Sequence, residues 1–142
     1  MKIKMLALMA FACIGAFAVT KPSLAATIDL KATLSGKTEV PPNASPATGA
    51  VTATYDDATK KLTWKGSYKD LTGPATAAHF HGPAGEGKNA GVAIPIAPNG
   101  PEFEGSATLT DSQAHELLAG EWYVNVHTAA NKGGEIRGQL TK

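Results

Sequence analysis

Apolar and polar residues alternate along this chain in short runs, and for most of its length the period is two. Residues 28–34 set Ile28, Leu30, Ala32 and Leu34 against polar partners, the pattern of a half-buried strand. Glu39-Val40-Pro41-Pro42 stops that strand, because prolines cannot go on donating to a ladder. Segments 49–55 and 62–68 flank Asp56-Asp57-Ala58-Thr59-Lys60, whose aspartates favour tight turns, so together they predict a hairpin. Residues 75–81 predict a strand running into a glycine-rich loop at 82–91, and 92–96, 103–109, 122–128 and 135–140 predict four more. One stretch departs from the period of two. At 110–119, Thr110 and Gln113 have the spacing of a capping box, while Ala114, Leu117 and Leu118 form an apolar stripe. Gly120 is placed to close that helix as a left-handed cap. About eight strands and one short helix, without a repeat or a low-complexity linker, predict an all-β sandwich. Its expected core comprises Leu30, Leu34, Val51, Leu62, Trp64, Phe80, Val92, Ile94, Leu109, Leu117, Val124, Val126, Ile136 and Leu140.

The start of the chain has a different pattern. Lys2 and Lys4 precede an apolar run at 5–19, and Ser23-Leu24-Ala25 supplies small residues where a signal peptidase reads. This predicts a secretory leader cut after Ala25, and a single exported domain, periplasmic or secreted, over residues 26–142. The apolar run, about 15 residues, falls short of the roughly 20 that a spanning helix needs. Ala10-Phe11-Ala12 before Cys13 does not fit a lipidation box. Lys2, Lys4 and Lys21 would leave with the leader, so the remaining domain has 10 basic and 12 acidic residues. That balance is no footprint for nucleic acid or an anionic membrane. Cys13, Met1, Met5 and Met9 would leave too, so no thiol or thioether remains. Stability then rests on packing, and any metal site must use nitrogen and oxygen ligands.

Those ligands have candidates. His79 and His81 are two apart, so in an extended strand they point to one face with Cα atoms roughly 6.5 Å apart. That spacing suits two imidazoles meeting one ion at about 2.0–2.1 Å. In 122–128, Trp122, Val124 and Val126 take one face and Tyr123, Asn125 and His127 the other. His127 thus sits on the polar face of its strand, as His79 and His81 do when Ala78 and Phe80 face the core. The expected site is His79, His81 and His127 on one divalent ion. Copper is favoured over zinc by the affinity order for nitrogen ligands, and Cu(II) over Cu(I) by the lack of sulfur. Glu135 and Arg137 share a face of the last strand, and Arg137 with Glu135 or Glu39 reads as a structural ion pair. His115 falls on the helix and reads as a solvated residue. No nucleophile elbow or reactive cysteine is present, and the loop 82–88 lacks the Lys-Ser/Thr and following helix of a phosphate loop.

Four stretches taken in order resemble the CHRD domain, a module named for chordin and widespread in bacterial secreted proteins. They are Leu34-Ser35-Gly36 through Glu39-Val40-Pro41-Pro42, Ala78-His79-Phe80-His81-Gly82-Pro83-Ala84, Gly120-Glu121-Trp122-Tyr123-Val124-Asn125-Val126-His127-Thr128, and Gly134-Glu135-Ile136-Arg137-Gly138-Gln139-Leu140. The resemblance implies an immunoglobulin-like or superoxide-dismutase-like sandwich. It also implies recurrent residues at Glu39, His79, His81, Asn125, His127, Glu135 and Arg137, with Glu39 or Glu135 as a fourth ligand or as a group fixing a ring nitrogen. It does not dictate activity. A two-metal dismutase needs more histidines than the four present. A copper-dependent redox enzyme therefore ranks below a binding module. The remaining alternative is a metal-free structural or adhesive module with a protein or polysaccharide partner, for which Trp122 or Tyr123, if exposed, would stack on sugars.

Overall fold

The computed structural model describes residues 26–142; the expected leader, its cleavage point and Cys13 lie outside the described residues. The elements are β1 (Thr27–Ser35), β2 (Thr48–Asp56), β3 (Lys61–Lys69), β4 (Ala75–His81), β5 (Val92–Ile96), β6 (Glu102–Thr108), α1 (Asp111–Leu118), β7 (Tyr123–Thr128) and β8 (Ile136–Gln139). A short 3-10 turn, Gly36–Thr38, follows β1.

Local chemistry accounts for the turns. Between β2 and β3, Asp56 Oδ1 accepts the N–H groups of Ala58 and Thr59 at 2.9 and 3.0 Å, closing the hairpin through a side chain. Helix α1 begins in the expected reciprocal cap. Thr110 Oγ1 accepts from Gln113 N–H at 3.2 Å, and Gln113 Oε1 accepts from Thr110 N–H at 3.0 Å. It ends with Gly120 at φ +76°. The Gly120 N–H bonds Leu117 O at 3.1 Å and the Glu121 N–H bonds Glu116 O at 3.0 Å, a Schellman pair.

All the strands join one antiparallel sheet in the order β5-β4-β7-β8-β1-β2-β3-β6. The outermost strands β5 and β6 come beside each other, so the sheet curls nearly shut into a sandwich-like barrel. Its inside holds Leu34, Leu62, Phe80, Val124, Val126, Ile136 and Leu140, all fully buried. Trp64 meets Phe80 edge-on at 5.0 Å between ring centroids. Two expected core residues behave differently: Val92 is 54% exposed and Ile94 only partly buried. The strand β5 pairs with β4 alone and holds Pro95, so this edge strand has one wet side, and Ile96 is the residue that anchors it.

A second correction concerns β7, whose polar face is not a wet one. Tyr123 and Asn125 are as buried as Val124 and Val126, because loops fold over the outside of β4, β7 and β8. From one such loop, Asn43 Nδ2 donates to Glu135 O at 3.0 Å; from another, Asn89 and Lys88 contact Arg137; from a third, Lys132 O meets His127. Trp122 and Tyr123 are 0% and 2% exposed, so neither is available to stack on a sugar. Trp122 Nε1 donates to Glu116 Oε2 at 3.2 Å instead. No helix among the described residues is long and apolar enough to cross a membrane.

Candidate metal centre

The pairing of β4 with β7 sets Ala77 opposite His127, His79 opposite Asn125 and His81 opposite Tyr123. The pairing of β7 with β8 adds Arg137 opposite Asn125 and Gln139 opposite Tyr123. Alternation then puts all of these side chains on the outer face of the sheet. Strand β4 is irregular just before the His-x-His unit, between Ala75 and Ala77 against β7, and within it, between Phe80 and His81 against β5. Irregularities of this kind re-aim side chains.

One ring nitrogen from each of His79, His81 and His127 lies within 4.8 Å of the others. His79 Nδ1 is 3.0 Å from His127 Nε2. The tautomers follow from the carbonyls that the rings face. His81 Nδ1 lies 3.0 Å from Ala90 O, and His127 Nδ1 lies 2.9 Å from Lys132 O. A carbonyl only accepts, so each Nδ1 carries the proton and, in the neutral ring, each Nε2 keeps its lone pair. His81 Nε2 is buried and has no hydrogen-bond partner.

Burial is the main force on His79 and His81. It lowers the pKa of His79, and the charges that His127 and His81 would carry lower it further. It lowers His81 as well, against a partial opposing effect of the Ala90 and Gly91 carbonyls and the Asn125 side chain. His79 and His81 therefore favour the neutral imidazole, the form that binds a metal.

A stack lies behind the cluster. The His81 and Tyr123 rings are parallel within 1° at 4.9 Å, and the Arg137 guanidinium carbon sits 3.4 Å from the Tyr123 ring centroid. The Tyr123 hydroxyl accepts from Ala90 N–H at 3.1 Å, which pins the carbonyl that holds His81. Tyr123 was not among the expected site residues, although its alternation with Asn125 and His127 could have suggested it. The Ala90 and Lys132 carbonyls are main-chain groups, and no side-chain pattern announces them.

The acids and Arg137 do not form the expected ion pair. Arg137 is buried, with Nη1 donating to Asn89 Oδ1 at 2.9 Å and Nη2 to Lys88 O at 2.6 Å. Glu135 is fully buried in a site of its own. Its Oε1 accepts from Ser45 Oγ at 2.6 Å and Thr72 N–H at 2.8 Å, and its Oε2 from Thr128 Oγ1, Thr72 Oγ1 and Asn131 Nδ2 at 2.5, 2.7 and 3.2 Å. Burial alone would raise this carboxyl, but the donors Ser45, Thr128 and Thr72 together outweigh it and hold it down to about 2. These bonds occupy Glu135 fully, so it fixes no ring nitrogen. Glu39 does not fix one either; burial pushes its carboxyl up to about 7, opposed by Arg137, the Val40 N–H and Asn125. Gly134, at φ +129°, makes room for it: a Cβ there would lie 2.3 Å from Glu39 Oε1 and 2.7 Å from Asn125 Nδ2. His115 is exposed on α1, outside the cluster.

The model of the CHRD domain family matches residues 30–140. Neither the curated proteins nor the solved structures include a match to the chain.

Proposed function

The chain belongs to the CHRD domain family, and on that premise we propose that it is an exported binding protein holding one divalent metal ion, copper in preference to zinc, through His79, His81 and His127. The observation that carries this reading is His81 Nε2, a buried lone pair without a donor, in a cluster where the other two rings each offer a nitrogen within 4.8 Å. A buried acceptor without a partner is costly, by about 1–3 kcal/mol, and a metal ion would remove that cost. Two nitrogens bound to one ion at about 2.0–2.1 Å are at most about 4.2 Å apart. A small rotation of the side chains from the present separation would close the site. Copper is preferred because imidazole suits it and because it leads the affinity order for nitrogen ligands. The leader read in residues 1–25 supports export.

The test is isothermal titration of metal-free protein with Cu(II) and, separately, Zn(II). The expected result is one equivalent of copper bound, more tightly than zinc. Zinc binding the tighter would reverse the choice of metal, and binding of neither would leave the domain a metal-free interaction module.

A further inference from the structure

We infer that the ion held by His79, His81 and His127 keeps one coordination position open toward the cavity beside Lys132, and that this position takes a small inorganic anion. The inference rests on the metal reading above and extends it to the ligand that the bound ion would recruit.

The ligand supply gives the first step. The cluster offers three imidazole nitrogens, and no carboxylate joins it among the described residues. Glu135 is consumed by its five donors, and Glu39 Oε1 is buried where Gly134 and Asn125 meet it. A divalent ion with three protein ligands takes its fourth from solution.

Direction comes from the unequal burial of the rings. His81 is 8% exposed, stacked on Tyr123 and tied to Ala90 O, so that side is closed. His79 and His127 are half-buried and line a cavity of about 410 Å³ with Thr76, Ala77, Thr128, Ala129 and Lys132. The free position therefore faces this cavity. Ala77, directly across from His127, presents only a methyl group there and leaves room beside the ion.

Charge selects the occupant. Three neutral ligands leave both positive charges of the ion uncompensated, and a bound cation of that kind dominates its surroundings. Lys132 adds a further positive charge at the rim and has no ion-pair partner among the described residues. A cationic, partly enclosed position concentrates small anions.

Sodium azide on the copper-loaded protein is the probe, followed by its charge-transfer absorption and by electron paramagnetic resonance. The expected result is a saturable band with one azide per copper. Lys132→Gln keeps the main-chain carbonyl that holds His127 and removes a charge that repels the ion, so it should weaken azide about fivefold while copper affinity holds or rises. Ala77→Leu should crowd the position beside His127 and weaken the band with copper still bound. Absence of an azide band on copper-loaded wild type, or azide binding unchanged in both variants, overturns the inference and leaves the metal site standing. Failure of wild type to take up copper overturns both.

Discussion

Glu135→Ala is expected to destabilise the domain by about 3 kcal/mol, because the neutral donors it leaves behind include buried ones, and a buried donor without an acceptor costs about 1–3 kcal/mol. The carboxylate ties together segments that are distant in sequence: Ser45 from the loop before β2, Thr72 from the β3–β4 connection, and Thr128 and Asn131 beside β7. Alanine would leave the fully buried Thr128 hydroxyl without its acceptor and free the loops that the carboxylate holds. Glu135→Gln keeps the shape but has one acceptor oxygen for five donors, so about half that loss is expected. Linkage provides an independent readout. The folded pKa of about 2 lies below the ordinary 4.5, so this stabilisation is present above about 4.5 and is lost as pH falls through about 2. Urea unfolding across that range should show wild type losing stability in acid and the Gln variant losing less. A loss below about 1 kcal/mol in the Ala variant would mean that water replaces the carboxylate without penalty.

His79→Ala and His127→Ala should each weaken copper binding by about 100-fold or more, since loss of even an outer-shell partner costs about 10–100-fold. His115→Ala should leave it unchanged, because that ring is exposed on α1 outside the cluster. Dependence on pH follows from burial. An unperturbed site would lose copper between about pH 7 and pH 5, but His79 and His81 are both lowered from 6.5. Affinity should therefore hold down to about pH 6.5 and fall below it. The metal-free protein changes in the same direction: the stabilisation from its neutral buried rings is present above 6.5 and is lost as pH falls through the folded values. Affinity already falling between about pH 8 and pH 7 would contradict the lowered values, and binding that survives both His→Ala variants would remove these rings as ligands.

How much of this was legible in the sequence depends on how many sides of a strand meet water. Along β1, β2 and β3 the exposed and buried positions alternate, so Leu30, Leu34, Val51, Leu62 and Trp64 were readable as core. In β5 the continuous apolar run 92–96 suggested burial of Val92 and Ile94, yet a short edge strand with a proline has little to fix which side faces inward. The His-x-His unit and the polar side of β7 were readable because a period of two assigns faces. The cover over that side was not. Apart from Lys132 it comes from loops distant in sequence, with Asn43 on Glu135 O 92 positions away and Asn89 on Arg137 48 away. Local pattern carries no record of such partners. For the same reason Glu135 and Arg137 were grouped as a pair, although neutral donors hold the one and carbonyls with an aromatic ring hold the other.

The strand β7, paired on both edges and covered on both faces, also affects how this protein can vary. In most sheet proteins every second residue of a strand is free to drift, because it meets only solvent. Here Tyr123, Val124, Asn125 and Val126 all meet packed neighbours, so replacement at either parity removes a contact. A saturation library across this strand would show uniform intolerance rather than alternate permissive sites, with the tolerant positions displaced to the outward face of β2 and β3. Evolution could therefore retune the domain's surface far from the histidines while the strand beneath them stays nearly fixed.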